Sequence, residues 1–225
     1  VRPPDGRGGA GLVLQHVNDD NRYRFDQQCR VTAIEFAARL GLEGILSINF
    51  MPNAVYDPAS CIRTTLAAAE RCAFPVERIL FEFTEGEQVL DVGHLKGIVE
   101  HYRSRGLLTA IDDFGAGFSG LGLLADFQPD YVKLDMGLVR GVDADRNRQA
   151  IVRGMVDVCR TLGVKVIAEG VETVDEGRAL LDAGIAYFQG YLLARPAFEA
   201  LAQPDVHALA ALRTERPALR ATGTD

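Results

Sequence analysis

Short apolar runs alternate with longer amphipathic segments along most of the chain. The short runs have strand character and begin at Ile45, Ile79, Leu108, Tyr131, Val164 and Ile185. Between them, apolar residues recur at the three- and four-residue spacing of a helix, as Phe25, Cys29, Ala33 and Phe36 do. Strands that alternate with helices predict right-handed βαβ units and a parallel sheet.

Residues that start and stop helices divide the segments between the strands. Asp57 and Pro58 give an N-cap followed by proline at the first helical position, and Thr173 with Glu176 forms a capping box. Helices are predicted over residues 22–40, from 58, over 91–105, 119–127 and 145–162, from 173 to 184, from about 196, and in a trailing segment after Gln203. Arg22, Arg24 and Arg30 predict a solvated face on the first of these helices.

Polar residues at the strand ends distinguish a closed barrel from a doubly wound open sheet. They are Ser47, Asn49, Glu82, Thr84, Asp112, Lys133, Asp135, Glu169 and Gln189. Polar groups that arrive from every strand end are typical of a barrel mouth, whereas an open sheet gathers its ligands at one switch point. An open dinucleotide-binding sheet also carries a glycine fingerprint directly after its first strand, and residues 51–56, which follow the first predicted strand, contain no glycine. The pattern therefore predicts a modified TIM (β/α)8 barrel.

The strand count leaves this barrel short, because eight strands are needed and the chain supplies six from Ile45 onward. Only Gly11 to Val17 is available for another strand before the first helix. We therefore expect the N-terminal strand or strands to be missing and the given sequence to begin partway through its domain. The barrel is placed over residues 1–203, and a C-terminal helix and tail over 204–225.

Composition narrows the classes of partner and compartment. A formal net charge of −7 argues against a nucleic-acid polymer as partner, because phosphate backbones are bound by basic surfaces. The cysteines Cys29, Cys61, Cys72 and Cys159 form no C-x-x-C pair, which favours a reducing compartment such as the cytoplasm. No apolar run approaches the length of a membrane span, so no membrane contact is expected in this segment.

The sharpest chemical feature is Asp112-Asp113 at the end of an apolar strand, followed by Gly115 and Gly117. Adjacent carboxylates repel each other unless a cation lies between them, and Mg²⁺ or Mn²⁺ prefers oxygen ligands. The pair is also compatible with a turn or helix cap. Lys133 is compatible with an ion pair to Asp135 or Glu169, and with the Schiff-base lysine of an aldolase-like barrel.

Six motifs in order give the chain a family resemblance. They are Ser47-Ile-Asn49, Glu82-Phe-Thr-Glu85, Asp112-Asp-Phe-Gly-Ala-Gly-Phe-Ser119, Lys133-Leu-Asp135, Ala168-Glu-Gly-Val-Glu172 and Phe188-Gln-Gly-Tyr191. From Val1 to about Leu201 the chain resembles the EAL-domain phosphodiesterases of bacterial signalling. The resemblance implies metal-dependent hydrolysis of cyclic di-GMP to linear pGpG, a homodimer, and a sensory domain upstream. The alternative is a catalytically inactive receptor that binds cyclic di-GMP.

The resemblance also implies residue roles around two ions. Asn49, Glu82 and Asp112 match ligands of the first ion, and Asp112, Asp113 and Glu169 match those of the second. Lys133 matches the lysine that orients or activates water, so Lys133, Asp113 and Glu169 are the expected catalytic residues. Arg2, Glu172 and Gln189 match substrate and water-shell positions, and Glu85 matches the residue that holds the loop with Gly115 and Gly117. By this resemblance the family's signature glutamate would lie three positions before Val1, outside the given sequence.

Overall fold

The computed structural model describes residues 9–55, 57–84, 92–117 and 120–213. In these ranges six parallel strands form one sheet whose spatial order follows the chain. They are β1 (Leu46–Asn49), β2 (Ile79–Thr84), β3 (Leu108–Phe114), β4 (Tyr131–Leu134), β5 (Lys165–Ala168) and β6 (Tyr187–Phe188). All six predicted strands are confirmed, and the sheet is the parallel half-barrel of a modified TIM fold.

Helices separate the strands as the periodicity predicts. They are α1 (Gly11–Leu14), α2 (Arg22–Arg39), α3 (Pro58–Arg71), α4 (Val92–Ser104), α5 (Gly120–Asp126), α6 (Met136–Val139), α7 (Arg146–Leu162), α8 (Val174–Asp182) and α9 (Val206–Arg213). The predicted caps are confirmed, since Asp57 accepts from the Ser60 N–H at 2.9 Å and Thr173 forms a complete capping box with Glu176.

One expectation at the C-terminal end of the barrel is wrong. No helix begins near Pro196: residues 195–207 are exposed throughout, so a short helix there would have no apolar face to bury, and the trailing helix forms only at α9. The stretch considered for an extra strand, Gly11 to Val17, forms α1 and a turn, in which Leu14 N–H donates to Ala10 O at 2.9 Å.

Alternate residues of each strand face opposite sides of the sheet, and the two sides differ in chemistry. The outer side is the main apolar core, where Phe81, Phe83, Ile111 and Leu134 are fully buried under the helices. The inner side starts with a small apolar cluster of Leu80, Ala110 and Tyr131, with Ile167 packed against it. Two residues further along the same four strands come Glu82, Asp112, Lys133 and Glu169. The apolar cluster therefore forms a floor beneath a layer of charged side chains.

A β-bulge interrupts the pairing of β3 with β4 between Ile111 and Phe114. Asp112 and Asp113 occupy the bulge, and Asp113 has a left-handed backbone conformation with φ of 53°. In a regular strand, neighbouring side chains point to opposite faces, but a bulge redirects one of them. The bulge is what allows two adjacent carboxylates to serve one site.

A buried arginine lies on the outer side, under α2. The Arg30 side chain is fully buried, its Nη2 lies 2.7 Å from Asp26 Oδ2, and its Nη1 donates to Tyr102 OH at 3.0 Å. The guanidinium carbon also lies 4.8 Å from the centre of the Phe81 ring. The predicted solvated arginine face is therefore wrong for Arg30. Its burial is tolerated because one carboxylate, one phenol and aromatic ring faces neutralise and surround the cation.

The four cysteines and the lengths of the helices bear on the predictions from composition. Cys61 and Cys159 are buried, Cys29 and Cys72 are partly buried, and all four thiols are free. Among the described helices, none combines the length and apolar character needed to cross a membrane.

Candidate metal centre

Lys133 stands at the centre of the charged layer. Its Nζ lies 2.6 Å from Glu169 Oε1, 2.9 Å from Asp112 Oδ1 and 3.0 Å from Glu82 Oε2. These four side chains come from β4, from the end of β5, from β3 and from β2, and all are largely buried. The predicted convergence of acids from separate strand ends is therefore what the structure shows.

Two carboxylates of the layer and the adjacent Asp113 approach one another closely enough to share a cation. One oxygen from each of Asp112, Asp113 and Glu169 lies within 4.8 Å of the others. The Asp112 carboxylate is also fixed by the backbone, because its Oδ1 accepts the Asp113 N–H at 3.1 Å. The bulge in β3 brings Asp113 into this set, and aspartate is one of the few residue types that tolerates the left-handed conformation required there.

The pKa values of these acids are raised mainly by burial, and the neighbouring carboxylates add to the effect. Burial raises the pKa of Glu82 even though Lys133 and Ser47 lower it, and burial together with Asp112 raises the pKa of Asp113. Burial, with the charges of Asp112 and Glu82, raises the pKa of Glu169 to about 7 against the opposing effect of Lys133. One ammonium is not enough for four carboxylates, and the remaining demand suits a divalent ion with oxygen ligands.

Lys133 is held in its charged form. Burial alone would lower its pKa, but Glu82, Asp112 and Glu169 outweigh burial and raise the pKa above the ordinary lysine value. A Schiff-base lysine must be a neutral amine to act as a nucleophile, so this environment argues against the aldolase-like alternative. Of the two predicted ion-pair partners, Glu169 is correct. Asp135 instead caps α6, accepting the Gly137 N–H at 2.8 Å.

The other predicted site residues lie around this centre. Asn49 is the last residue of β1, stands in register with Glu82 and is exposed. Gln189 is exposed, and its backbone bonds to Ala168 O and Val171 N at 2.8 and 3.2 Å. Glu172 accepts from Arg140 at 2.6 Å. Gly115 has φ of 94°, Gly117 is exposed, and Arg2 and Glu85 lie outside the described residues.

Two contacts of the site were not anticipated from the sequence. The Ser47 hydroxyl donates to Glu82 Oε1, so Ser47 supports an acid as well as preceding Asn49 on the same face of β1. Its position two residues before Asn49 was the available signal. Glu176 accepts the Gly141 N–H at 2.9 Å, a contact outside its capping box that no local pattern encodes, because Gly141 is 35 residues away.

Comparisons with known proteins agree with this geometry. A family model described as "EAL domain" matches residues 13–196. The blue light- and temperature-regulated antirepressor BluF of Escherichia coli K12 is 34% identical over 187 residues, which is 83% of this chain and 46% of BluF. Cyclic di-GMP phosphodiesterase PdeB of Shewanella oneidensis is 35% identical over 122 residues, 54% of this chain and 14% of PdeB. The chain thus spans under half the length of these two relatives.

Solved structures are similar over nearly the whole chain. A standalone versatile EAL protein from Vibrio cholerae O395, in its c-di-GMP bound form, superposes with a TM-score of 0.89 and 52% identity, covering 92% of this chain and 87% of that one. The manganese and cyclic di-GMP complex of Klebsiella pneumoniae BlrP1 at pH 9.0 has a TM-score of 0.82 and 35% identity, covering 91% and 53%. Similar chains therefore hold a cyclic dinucleotide and, in BlrP1, manganese.

Proposed function

Because the chain belongs to the EAL domain family, we propose that it is a metal-dependent phosphodiesterase that hydrolyses cyclic di-GMP to linear pGpG. The observation that carries the proposal is the group of three carboxylates in contact with Lys133 at the strand ends, two of which are spaced with Asp113 to share a cation. The names of PdeB and of the c-di-GMP bound Vibrio cholerae structure support the choice of substrate.

The donor set suits two Mg²⁺ or Mn²⁺ ions. Asn49, Glu82 and Asp112 would hold one ion, and Asp112, Asp113 and Glu169 would hold the other. When bound, such ions make water more acidic and neutralise charge on the phosphoryl oxygens. Carboxylate and amide oxygens without thiolates favour these hard ions over zinc. The manganese complex of BlrP1 supports manganese as one choice.

Lys133 is assigned an orienting and charge-stabilising role. Its ammonium is held among acids that raise its pKa, so it donates hydrogen bonds and does not accept a proton near neutral pH. In this position it can orient the attacking water and stabilise negative charge that develops on the phosphate. Asp113 and Glu169 supply carboxylate oxygens that accept hydrogen bonds from the same water.

The other residues that match the family motifs are assigned to substrate binding and to the loop beyond Asp113. Arg2, Gln189 and Glu172 are proposed to contact the substrate and its waters, and Glu85 with Gly115 and Gly117 to shape the loop beyond Asp113. A homodimer, an upstream sensory domain and a cytoplasmic location in a bacterium also remain predictions.

Incubation with cyclic di-GMP and Mg²⁺ or Mn²⁺, followed by chromatography, tests the function directly. We expect pGpG to accumulate with either ion and to disappear when a chelator is added in excess. A reaction that proceeds equally well in chelator would contradict the assignment of the carboxylates as metal ligands.

One observation favours a second candidate, a receptor that binds cyclic di-GMP without hydrolysing it. BluF aligns with 83% of this chain and is named an antirepressor, not a phosphodiesterase. The same incubation separates the two, because a receptor would bind the dinucleotide and leave it intact.

Metal binding is expected to stabilise the protein more at pH 8 than at pH 5.5. A carboxyl whose pKa is raised by folding stabilises the fold below its unfolded pKa, and this stability is lost as the pH rises through the folded pKa. For Glu169 that window runs from 4.5 to about 7. The melting temperature of the metal-free protein should therefore fall as the pH rises across this window. Metal ions bind the deprotonated acids, so their stabilising effect should increase over the same window.

Melting curves with and without Mn²⁺ at both pH values provide the measurement. At about 100 times its dissociation constant the ion contributes about 2.7 kcal/mol, so the melting temperature should rise by about 5–10 °C at pH 8. Glu169→Gln should reduce both the pH dependence and the metal effect. An equal metal effect at the two pH values would be inconsistent with ligation by these acids.

A further inference from the structure

Two segments flank the candidate centre on the side of β4 and β5. The first, here called the α6 turn, runs from Met136 to Gly141 and follows the strand that carries Lys133. The second, here called the Glu169 loop, covers residues 169–173 and ends at the N-cap of α8. The α6 turn therefore begins three residues after Lys133, and the Glu169 loop begins with Glu169 itself.

Glu176 joins these segments through three backbone hydrogen bonds. Its Oε2 accepts from the N–H groups of Glu172 and Thr173, each at 3.0 Å, and its Oε1 accepts from the N–H of Gly141 at 2.9 Å. The residue is only 6% exposed. A capping box requires only the bond to Thr173, so the bonds to Glu172 and Gly141 go beyond helix capping.

Other contacts bring the same two segments together. Gly170 has φ of 69°, and a Cβ added to it would lie 2.7 Å from Met136 Cβ, so the loop rests directly on α6. Arg140 Nη2 also donates to Glu172 Oε1 at 2.6 Å. Both partners of this pair are about half exposed, so the pair contributes little by itself. The buried Glu176 is the stronger connection.

We propose that Glu176 is a positioning residue that bridges the α6 turn and the Glu169 loop and thereby fixes Glu169 for metal binding. The inference rests on the proposed function only in taking Glu169 as a metal ligand. Burial opposes the charge of Glu176, but the three N–H donors outweigh burial and lower its pKa. The acceptor is therefore fully charged at neutral pH. A carboxylate is the only side chain group that can accept from both directions at once with full charge.

Two substitutions separate bridging from helix capping. Glu176→Gln can keep its oxygen toward Glu172 and Thr173, which leaves an amide NH2 facing the Gly141 N–H and removes the bridge. Thr173→Ala does the reverse, because it deletes the hydroxyl that caps Glu176 N at 3.2 Å and leaves all three bonds of the Glu176 carboxylate intact. The pair is matched, since Glu176→Gln loses the bond to Gly141 and keeps the capping bond to Thr173, whereas Thr173→Ala loses a capping bond and keeps the bridge.

The first readout is the affinity of the purified chain for Mn²⁺, measured by electron paramagnetic resonance. We expect Glu176→Gln to weaken Mn²⁺ binding about tenfold, the usual size of an effect on a ligand-supporting residue, and Thr173→Ala to leave it unchanged within twofold. Amide hydrogen exchange of the metal-free protein is the second readout. Val171 bonds to Gln189 O at 3.2 Å and not to Glu176, so its protection should fall only when the bridge is lost.

Unchanged Mn²⁺ binding and unchanged Val171 protection in Glu176→Gln would overturn the inference. Equal losses of Mn²⁺ affinity and of Val171 protection in both variants, in proportion to their losses of melting temperature, would also overturn it. The proposed function fails separately, when the parent chain binds Mn²⁺ but forms no pGpG. If the parent chain binds no Mn²⁺, the exchange of Val171 still decides whether Glu176 holds the loop.

Discussion

Asp113→Asn is expected to lower kcat for cyclic di-GMP by about 10³-fold or more while leaving the fold intact. A loss of this size corresponds to about 4 kcal/mol of transition-state stabilisation. Asparagine has nearly the same shape and also tolerates the left-handed conformation that Asp113 adopts, so the bulge in β3 should persist. What is lost is one negative charge beside Asp112 and Glu169, and with it the attraction for a divalent ion.

A matched control, Asp130, lies just before β4, beside the N-terminal end of β3. Asp130 accepts from the Thr109 N–H at 2.9 Å, and asparagine can accept that bond equally well. Asp130→Asn should therefore change kcat by less than about twofold, as surface substitutions away from a site usually do. Steady-state kinetics with Mn²⁺, together with circular dichroism of both variants, provides the measurement. Normal turnover by Asp113→Asn would remove this residue from the metal centre.

Arg30→Met is expected to produce the largest loss of stability, about 3–5 kcal/mol. Removing the guanidinium leaves Asp26 buried without its cation and Tyr102 without its donor. The Asp26 carboxylate also accepts the Met51 N–H at 3.1 Å, so the segment that follows Asn49 loses support as well. For a chain of this size the melting temperature should fall by roughly 10 °C.

The control for Arg30 is another arginine of α2. Arg39 also lies over a ring, with its guanidinium carbon 4.3 Å from the centre of Phe36, and also faces a carboxylate, Glu199 Oε2 at 3.4 Å. It differs in being 61% exposed, so Arg39→Met should cost less than about 1 kcal/mol. Thermal and urea unfolding of the two variants compare them directly. Equal losses would show that burial of Arg30 does not determine its contribution.

The sequence predicts the strands and the charged layer because both follow from local alternation. Glu82, for instance, lies between Phe81 and Phe83 in β2. This alternation predicts an apolar outer face and a charged inner face of the sheet, and the structure confirms this arrangement. The β3 bulge was not predicted, since it depends on how β3 pairs with β4 and not on the residues of β3 alone.

The errors have the same origin in contacts between distant residues. Arg30 appeared solvated because charged side chains on a helix usually face water, but its partner Tyr102 is 72 residues away. Residues near Pro196 suggested a helix that finds no surface to cover. The contact of Glu176 with Gly141 likewise joins elements that only the folded sheet brings together.

The position of Lys133 has a consequence for the order in which the site is built. Its ammonium contacts three carboxylates within 3.0 Å, so the polypeptide carries an internal counter-ion for acids that would otherwise repel one another. Zinc fingers, by contrast, remain unfolded until their ion arrives. Here the chain can fold first and bind its metal ions afterwards. The ions can therefore exchange, and their concentration can control the activity of the protein without unfolding it.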